Sequence, residues 1–267
     1  MEGLKESWSK KKSLADGRNF RLPDYHEYLM TKQEWLSGVL AGMGVTVFLA
    51  YLFYRSLYAV IFLCPVVPFF VKAQKKRLCR RQKETLKMQF KDALQAVSAA
   101  LQVGYSMENA IVEALHDMER MYGEEGLITR EFAAITGGIR NHRTTEELFL
   151  QLAQRSGLED IRDFAEVFAI AKRGGGDLPC VIRVCSVTIG DKIETAKEIQ
   201  TLIAAKKLEG RIMDIIPGFI ILYIDLSSPG FFDVLYHTLF GKVIMTVCLA
   251  VYLGAILLSE KIMSIEV

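Results

Sequence analysis

The sequence predicts an all-α membrane protein in which two transmembrane helical hairpins flank a cytoplasmic antiparallel bundle of about six helices. Three observations carry this reading. Apolar residues make up 51% of the 267 residues, yet they concentrate in Trp35–Val71 and Ile212–Leu258 and leave a charged stretch between. Directly after the first apolar stretch, Lys72–Lys91 holds nine Lys or Arg against one acid, Glu84. The central stretch carries its apolar residues at helical spacing, with no useful run of period-two alternation.

Residues 1–34 read as a polar cytoplasmic segment, and the first apolar run starts too late for a signal peptide. Leu36–Phe53 is eighteen residues without a charge, framed by Trp35 and Tyr54. An aromatic at each edge suits the two bilayer interfaces. Leu57–Val71 follows after Arg55-Ser56; it is fifteen residues long and holds Pro65 and Pro68. It is short for a span of ~20, but membrane helices tolerate proline where neighbours satisfy the freed carbonyls. Residues 35–71 are therefore expected to form the first hairpin. Residues 211–258 are expected to form the second. Ile212–Leu226 carries Asp214, Pro217 and Asp225; Val243–Leu258 is uncharged; Ser227–Gly241 between them reads as a loop and an interfacial helix. Residues 259–267 make a short tail.

The basic run sets the orientation, because cytoplasmic flanks retain Lys and Arg. The opposite loops carry only Arg55, so the central domain, residues 72–210, and both termini are expected in the cytoplasm. Nucleic-acid binding would want aromatics interleaved among the cations, and the run has none. Lys75, Lys76, Arg77, Arg80 and Arg81 are instead candidates for anionic lipid head groups.

Within the central domain, Phe90, Ala93, Leu94, Val97 and Leu101 recur at helical spacing up to Gly104. Ser106 can cap a second helix with Ala110, Ile111, Ala114, Leu115 and Met118 inward, broken by Gly123 and Gly126. A third runs near Thr129–Ile139. Thr144-Thr-Glu-Glu147 reads as a capping box, Glu147 reaching back, for a fourth helix that buries Leu148, Phe149 and Leu152 and stops at Gly157. Ile161, Phe164, Ala165, Phe168 and Ala169 mark the fifth. After Gly174-Gly-Gly176 the sixth begins near Leu178 and meets no breaker before Gly210, so it should run into the third span. Met107, Met118, Met121 and the phenylalanines read as core. A faint echo relates Phe90–Ile111 to Phe164–Ile182, each a helix, a glycine turn and a helix.

These residues resemble a known family. Phe90-Lys-Asp-Ala-Leu-Gln-Ala-Val-Ser-Ala-Ala-Leu-Gln-Val-Gly-Tyr-Ser-Met-Glu-Asn-Ala-Ile111 is similar to the opening of the type II secretion system F domain, in particular that of TadB-like inner-membrane platform proteins of tight-adherence (Flp) pilus systems. Glu147–Gly157, the turn Ala171-Lys-Arg-Gly-Gly-Gly-Asp-Leu178, and Ala204–Arg211 followed by Pro217 are similar to its later landmarks. The Gly241, Gly254 and Ile-rich basic ending fits as well. His142-Arg143-Thr144 departs from the family's Gly and small residue, and the head before Lys32 resembles nothing. The resemblance implies a non-enzymatic platform that engages a hexameric secretion ATPase, a TadC-like paralogue and pilin subunits in the bacterial cytoplasmic membrane, as a homo- or hetero-oligomer. Arg140, His142, Arg143 and Arg173 are the candidate partner contacts; His142 beside Arg140 and Arg143 makes a small basic spot fit for an acidic surface.

Other chemistry finds little support. Gly174-Gly-Gly-Asp177 matches the G-x-G-D of intramembrane aspartyl proteases, but that chemistry needs two facing aspartates within the membrane, and Asp177 sits in a polar turn where it reads as a helix N-cap. No Gly-Lys-Ser/Thr follows the glycines. Asp214 and Asp225 are eleven residues apart, on one helix face, and supply the alternative reading of a transporter or channel subunit. The five cysteines show no metal spacing, and the four histidines are isolated, with no His or Cys at i+3 or i+4; no cofactor or metal is expected.

Overall fold

A computed structural model describes residues 32–54, 66–228 and 238–263 together with Tyr25, Met30 and Gly230. These residues form eight helices and no strand: α1 (Lys32–Tyr54), α2 (Val66–Gln102), α3 (Met107–Tyr122), α4 (Leu127–Arg140), α5 (Thr145–Ser156), α6 (Glu159–Arg173), α7 (Leu178–Ser227) and α8 (Leu239–Met263). The chain divides into two compact units. One comprises residues 1–28 and 78–193, the other residues 29–77 and 194–267, so α2 and α7 each contribute to both.

The first unit is the expected bundle of six helices. Each helix closes with local chemistry. Ser106 Oγ accepts from Asn109 N–H at 3.4 Å to start α3, and Thr144 Oγ1 accepts from Glu147 N–H at 3.4 Å to start α5. The reciprocal half of the expected capping box does not form: Glu147 Oε1 pairs with Arg143 and accepts from Gln151 at 3.2 Å. Both partners are cations or amides one turn away, and they outcompete a backbone N–H. Gly157, in the left-handed region at φ 58°, ends α5.

The inner faces meet in one apolar core. Phe149 of α5 lies 5.1 Å from Phe164, 5.3 Å from Phe168 and 6.4 Å from Phe132, ring centre to ring centre, each edge-on; Phe90 of α2 meets Phe164 at 5.4 Å. Such pairs contribute about 0.5–1.5 kcal/mol each beyond area burial. Met107 and Met118 are buried, but Met121 is exposed, because Tyr122 takes the inner position and its hydroxyl bonds the Asp92 carboxylate. Not every phenylalanine is core either: Phe48, Phe219 and Phe240, all in the apolar runs, are exposed.

Asp160, at the start of α6, joins three helices. Its carboxylate meets Lys87 of α2 at 2.6 Å and Lys192 of α7 at 2.8 Å. Behind this staple α2 and α7 approach closely: Ser186 donates to the Lys91 carbonyl at 3.2 Å. Between α4 and α5, a β-carbon on Gly138 would stand 2.5 Å from Leu148 Cδ2, so any larger residue there would force the Leu148 side chain to move.

The second unit contains α1, α8, the first turns of α2 and the second half of α7. The expected unbroken sixth helix is present, as α7 spans 50 residues. The basic stretch after Val71 is part of α2; Pro68 sits in the first helical turn, where its missing N–H costs nothing, and no glycine or proline follows until Gly104. Among the described residues, no helix is long and apolar enough to cross a membrane. Asp214 and Asp225 interrupt the apolar half of α7, and the expected loops at Arg55 and at Phe231–His237, with most of the run Leu57–Val71, lie outside the described residues.

Asp160→Asn should destabilise the bundle by about 1–3 kcal/mol at neutral pH, the usual worth of hydrogen bonds to a charged group. Burial alone would raise the Asp160 pKa, but hydrogen bonds and charge from Lys192 and Lys87 outweigh it and hold the carboxyl below its ordinary value of 3.8. A depressed folded pKa means a contribution fully present above 3.8 and lost as pH falls through the lower folded value. In urea melts the variant and its parent should therefore converge toward acid pH.

Candidate functional site

Three inter-helix turns gather at one end of the bundle. At the end of α4, His142 adopts a left-handed backbone at φ 58° and Arg143 N–H reaches back to the Gly138 carbonyl at 3.1 Å, the six-to-one closure of a helix C-terminus. The turn exposes Arg140, His142 and Arg143. At the end of α6, Gly175 takes the left-handed position and Gly176 N–H bonds the Ala171 carbonyl at 2.8 Å. Asp177 then caps α7, its Oδ1 accepting from Cys180 N–H at 3.1 Å, as expected of an N-cap and not of a catalytic carboxylate awaiting a partner.

One ion pair ties these turns together. Lys172 Nζ, next to Arg173, donates to Thr145 Oγ1 at 2.6 Å and Glu146 Oε2 at 2.9 Å at the start of α5. Burial opposes ionisation of Glu146, but the Lys172 hydrogen bond and charge prevail and hold its pKa below the ordinary range. The α2–α3 turn joins the same end, since Ser98 of α2 donates to the Pro179 carbonyl in the first turn of α7 at 3.4 Å. The four candidate residues Arg140, His142, Arg143 and Arg173 thus share one tip of the bundle. Val103, Tyr105 and Ile170 add exposed apolar surface there, Val103 at 79% and Ile170 at 73%. Arg143 is paired with Glu147, while Arg140 and Arg173 have no acidic partner among the described residues. A cationic, partly apolar tip fits an acidic protein surface.

The lipid candidates lie elsewhere. Lys75, Lys76, Arg77, Arg80 and Arg81 are all exposed on α2, and at 100° per residue they spread around most of the helix. Arg80 pairs with Glu84 at 3.1 Å. His116, expected to be isolated, has Glu119 at 3.5 Å, one turn on. Among the described residues no cluster of His, Cys, Asp or Glu could hold a metal ion, and Cys79, Cys180, Cys185 and Cys248 are free.

Sequence reasoning missed one charged site. Glu131 of α4 is 0% exposed and takes both guanidinium nitrogens of Arg155 from α5, at 2.9 and 2.6 Å. Tyr25, from the polar head of the chain, is 1% exposed; its hydroxyl donates to Glu131 Oε1 at 3.0 Å and its N–H to the Arg155 carbonyl at 3.1 Å. Burial, then the Glu131 charge, push the Tyr25 phenol well above its ordinary pKa. A partial signal existed: Glu131 stands on the stripe Ile128, Phe132, Ile135, and an acid there requires a buried base. Nothing local marked Tyr25.

No family model, curated protein or solved structure matches the chain.

Removing Arg155 alone would strand a buried carboxylate. Arg155→Met should cost about 3–5 kcal/mol, whereas the double variant Arg155→Met with Glu131→Leu should recover most of that loss. Chemical denaturation followed by circular dichroism checks both values; equal stability of the single and double variants would contradict the assignment.

Proposed function

We propose that this chain is a non-catalytic, multi-pass platform of a bacterial cytoplasmic membrane. In this reading it is the assembly-platform component of a type IV (Tad/Flp-type) pilus or type II-like secretion machine, and couples a cytoplasmic hexameric ATPase to the extraction and assembly of pilin subunits.

The observation that carries the membrane part is the inverted surface of the second unit. On α1 its buried positions are small: Gly38, Gly42, Thr46 and Ala50 recur every four residues, and Gly241 begins the buried side of α8, the helix α1 touches, which Met245 and Leu249 continue. Most of its large apolar side chains point out. Trp35, Leu40, Met43 and Phe48 on α1, and Val243, Val247, Val251 and Leu258 on α8, are all exposed. On α7, Ile212, Ile215, Ile216, Phe219, Ile220 and Tyr223 form one uncovered apolar face. Water does not favour such an arrangement, since soluble monomers rarely expose contiguous apolar surface beyond a few hundred Å². Lipid does: helices there associate through small residues and leave their large ones to the acyl chains. Thr46 bonds the Gly42 carbonyl at 2.8 Å, and Tyr252 of α8 donates to the Asp214 carbonyl at 2.5 Å, so hydroxyls are satisfied without water.

Two contacts support the hairpins. A β-carbon on Gly38 would meet the Gln74 side chain, consistent with the start of α1 lying level with α2 beyond its apolar run. The Tyr252–Asp214 bond likewise pairs α8 with the first apolar turns of α7. Tyr25 docked in the bundle supports an even number of crossings between it and Leu78. The basic run of α2 would then lie against anionic head groups, and the tip with Arg140, His142, Arg143 and Arg173 would present to the ATPase. The resemblance to F-domain platforms supports the ATPase, a TadC-like paralogue and pilins as partners.

The test is capture of a hexameric secretion ATPase by the tagged protein purified from carbonate-washed membranes. The triple variant Arg140→Glu, Arg143→Glu, Arg173→Glu should lower capture at least tenfold with little change in thermal stability. Recovery of the chain in the soluble fraction would end the membrane reading, and undiminished capture would end the role of the tip. Loss of an uptake activity in Asp214→Asn would favour the transporter reading instead.

A further inference from the structure

We propose that Tyr25 is a detachable latch, docked over a charged pocket of the bundle and released from it without unfolding the bundle. The pocket is built from three helices. Glu131 of α4 forms its floor, Arg155 of α5 its wall, and Cys79 of α2 its edge, where the thiol donates to the Tyr25 carbonyl at 3.6 Å.

Detachment is cheap because the pocket is self-sufficient. Glu131 holds two guanidinium bonds from Arg155 whether or not the phenol is present, so release strands no buried charge. The Arg155 side chain is 25% exposed and already opens the pair to solvent on one side, so water can replace the phenol at Glu131 Oε1. Docking, in turn, is specific: the phenol donates to the carboxylate, the Tyr25 N–H finds a carbonyl, and its own carbonyl finds a thiol. A phenylalanine would fill the space but leave the carboxylate one donor short. The latch does not depend on whether α1 meets lipid.

Cys79 reports the latch and Cys185, on α7 in the same bundle, reports the bundle itself. In the full-length protein, each cysteine is kept alone in turn and its maleimide labelling rate is followed through increasing urea. For a latch, labelling of Cys79 should be nearly independent of urea below the unfolding transition, the signature of local opening, while Cys185 should follow global unfolding. Tyr25→Ala should speed Cys79 labelling at least tenfold and leave Cys185 within twofold; Tyr25→Phe should fall between. If Tyr25→Ala accelerates both cysteines together, or neither, or if wild-type Cys79 rises with urea in step with Cys185, the latch is refuted and Tyr25 is an ordinary core residue.

Discussion

Phe149 is the residue around which the bundle is organised. Its ring takes the edges or faces of Phe132, Phe164 and Phe168, and Phe164 passes the contact on to Phe90. These five side chains come from α2, α4, α5 and α6, so one cluster fixes the mutual positions of four helices. A close-packed aromatic centre tolerates little displacement. That rigidity is what allows short turns to hold the tip arginines in a defined arrangement and keeps Gly138 packed against Leu148. The ion pairs around the rim, Asp160 with two lysines and Glu146 with Lys172, add direction to packing that the apolar core alone leaves degenerate.

The two units obey opposite rules of burial. In the bundle, large apolar side chains are inside and charges outside, apart from the paired Glu131. In the other unit, the inside of α1 is made of small residues and most large apolar side chains are outside, Met245 and Leu249 of α8 excepted. The same chain therefore answers to two solvents in the reading proposed here. The helices α2 and α7 run through both units without a break, and along each of them the composition changes from apolar to charged while the backbone stays helical. Helix formation depends on local hydrogen bonding and is indifferent to what surrounds the side chains; burial is not.

Amphipathic spacing made the bundle legible. The stripe of α3, the inner faces of α5 and α6, the caps at Ser106, Thr144 and Asp177, and the glycine stops follow from residues within one or two turns of one another. The uninterrupted α7 was legible for the same reason, because the absence of a breaker is itself a local property. Where spacing misled, a neighbour had a better claim: Tyr122 displaced Met121 from the core, and Arg143 drew Glu147 away from the cap. Of the tip, the sequence showed three arginines and His142 as separate spots at two turns; their union depended on Lys172 meeting Glu146.

By itself, then, the sequence determined the helical class, the number of bundle helices, most of the core and the unequal sharing of apolar residues along the chain, all of which are written in short-range periodicity and composition. Only the tertiary structure decided that Tyr25 belongs to the bundle, that Glu131 is buried against Arg155, and that Asp160 joins α2 to α7. Tyr25 and Glu131 are 106 residues apart, and nothing in either one's local pattern specifies the other. Such pairings are selected by the shape and charge of a pocket that exists only once the helices have assembled, and this is why they could be seen only there.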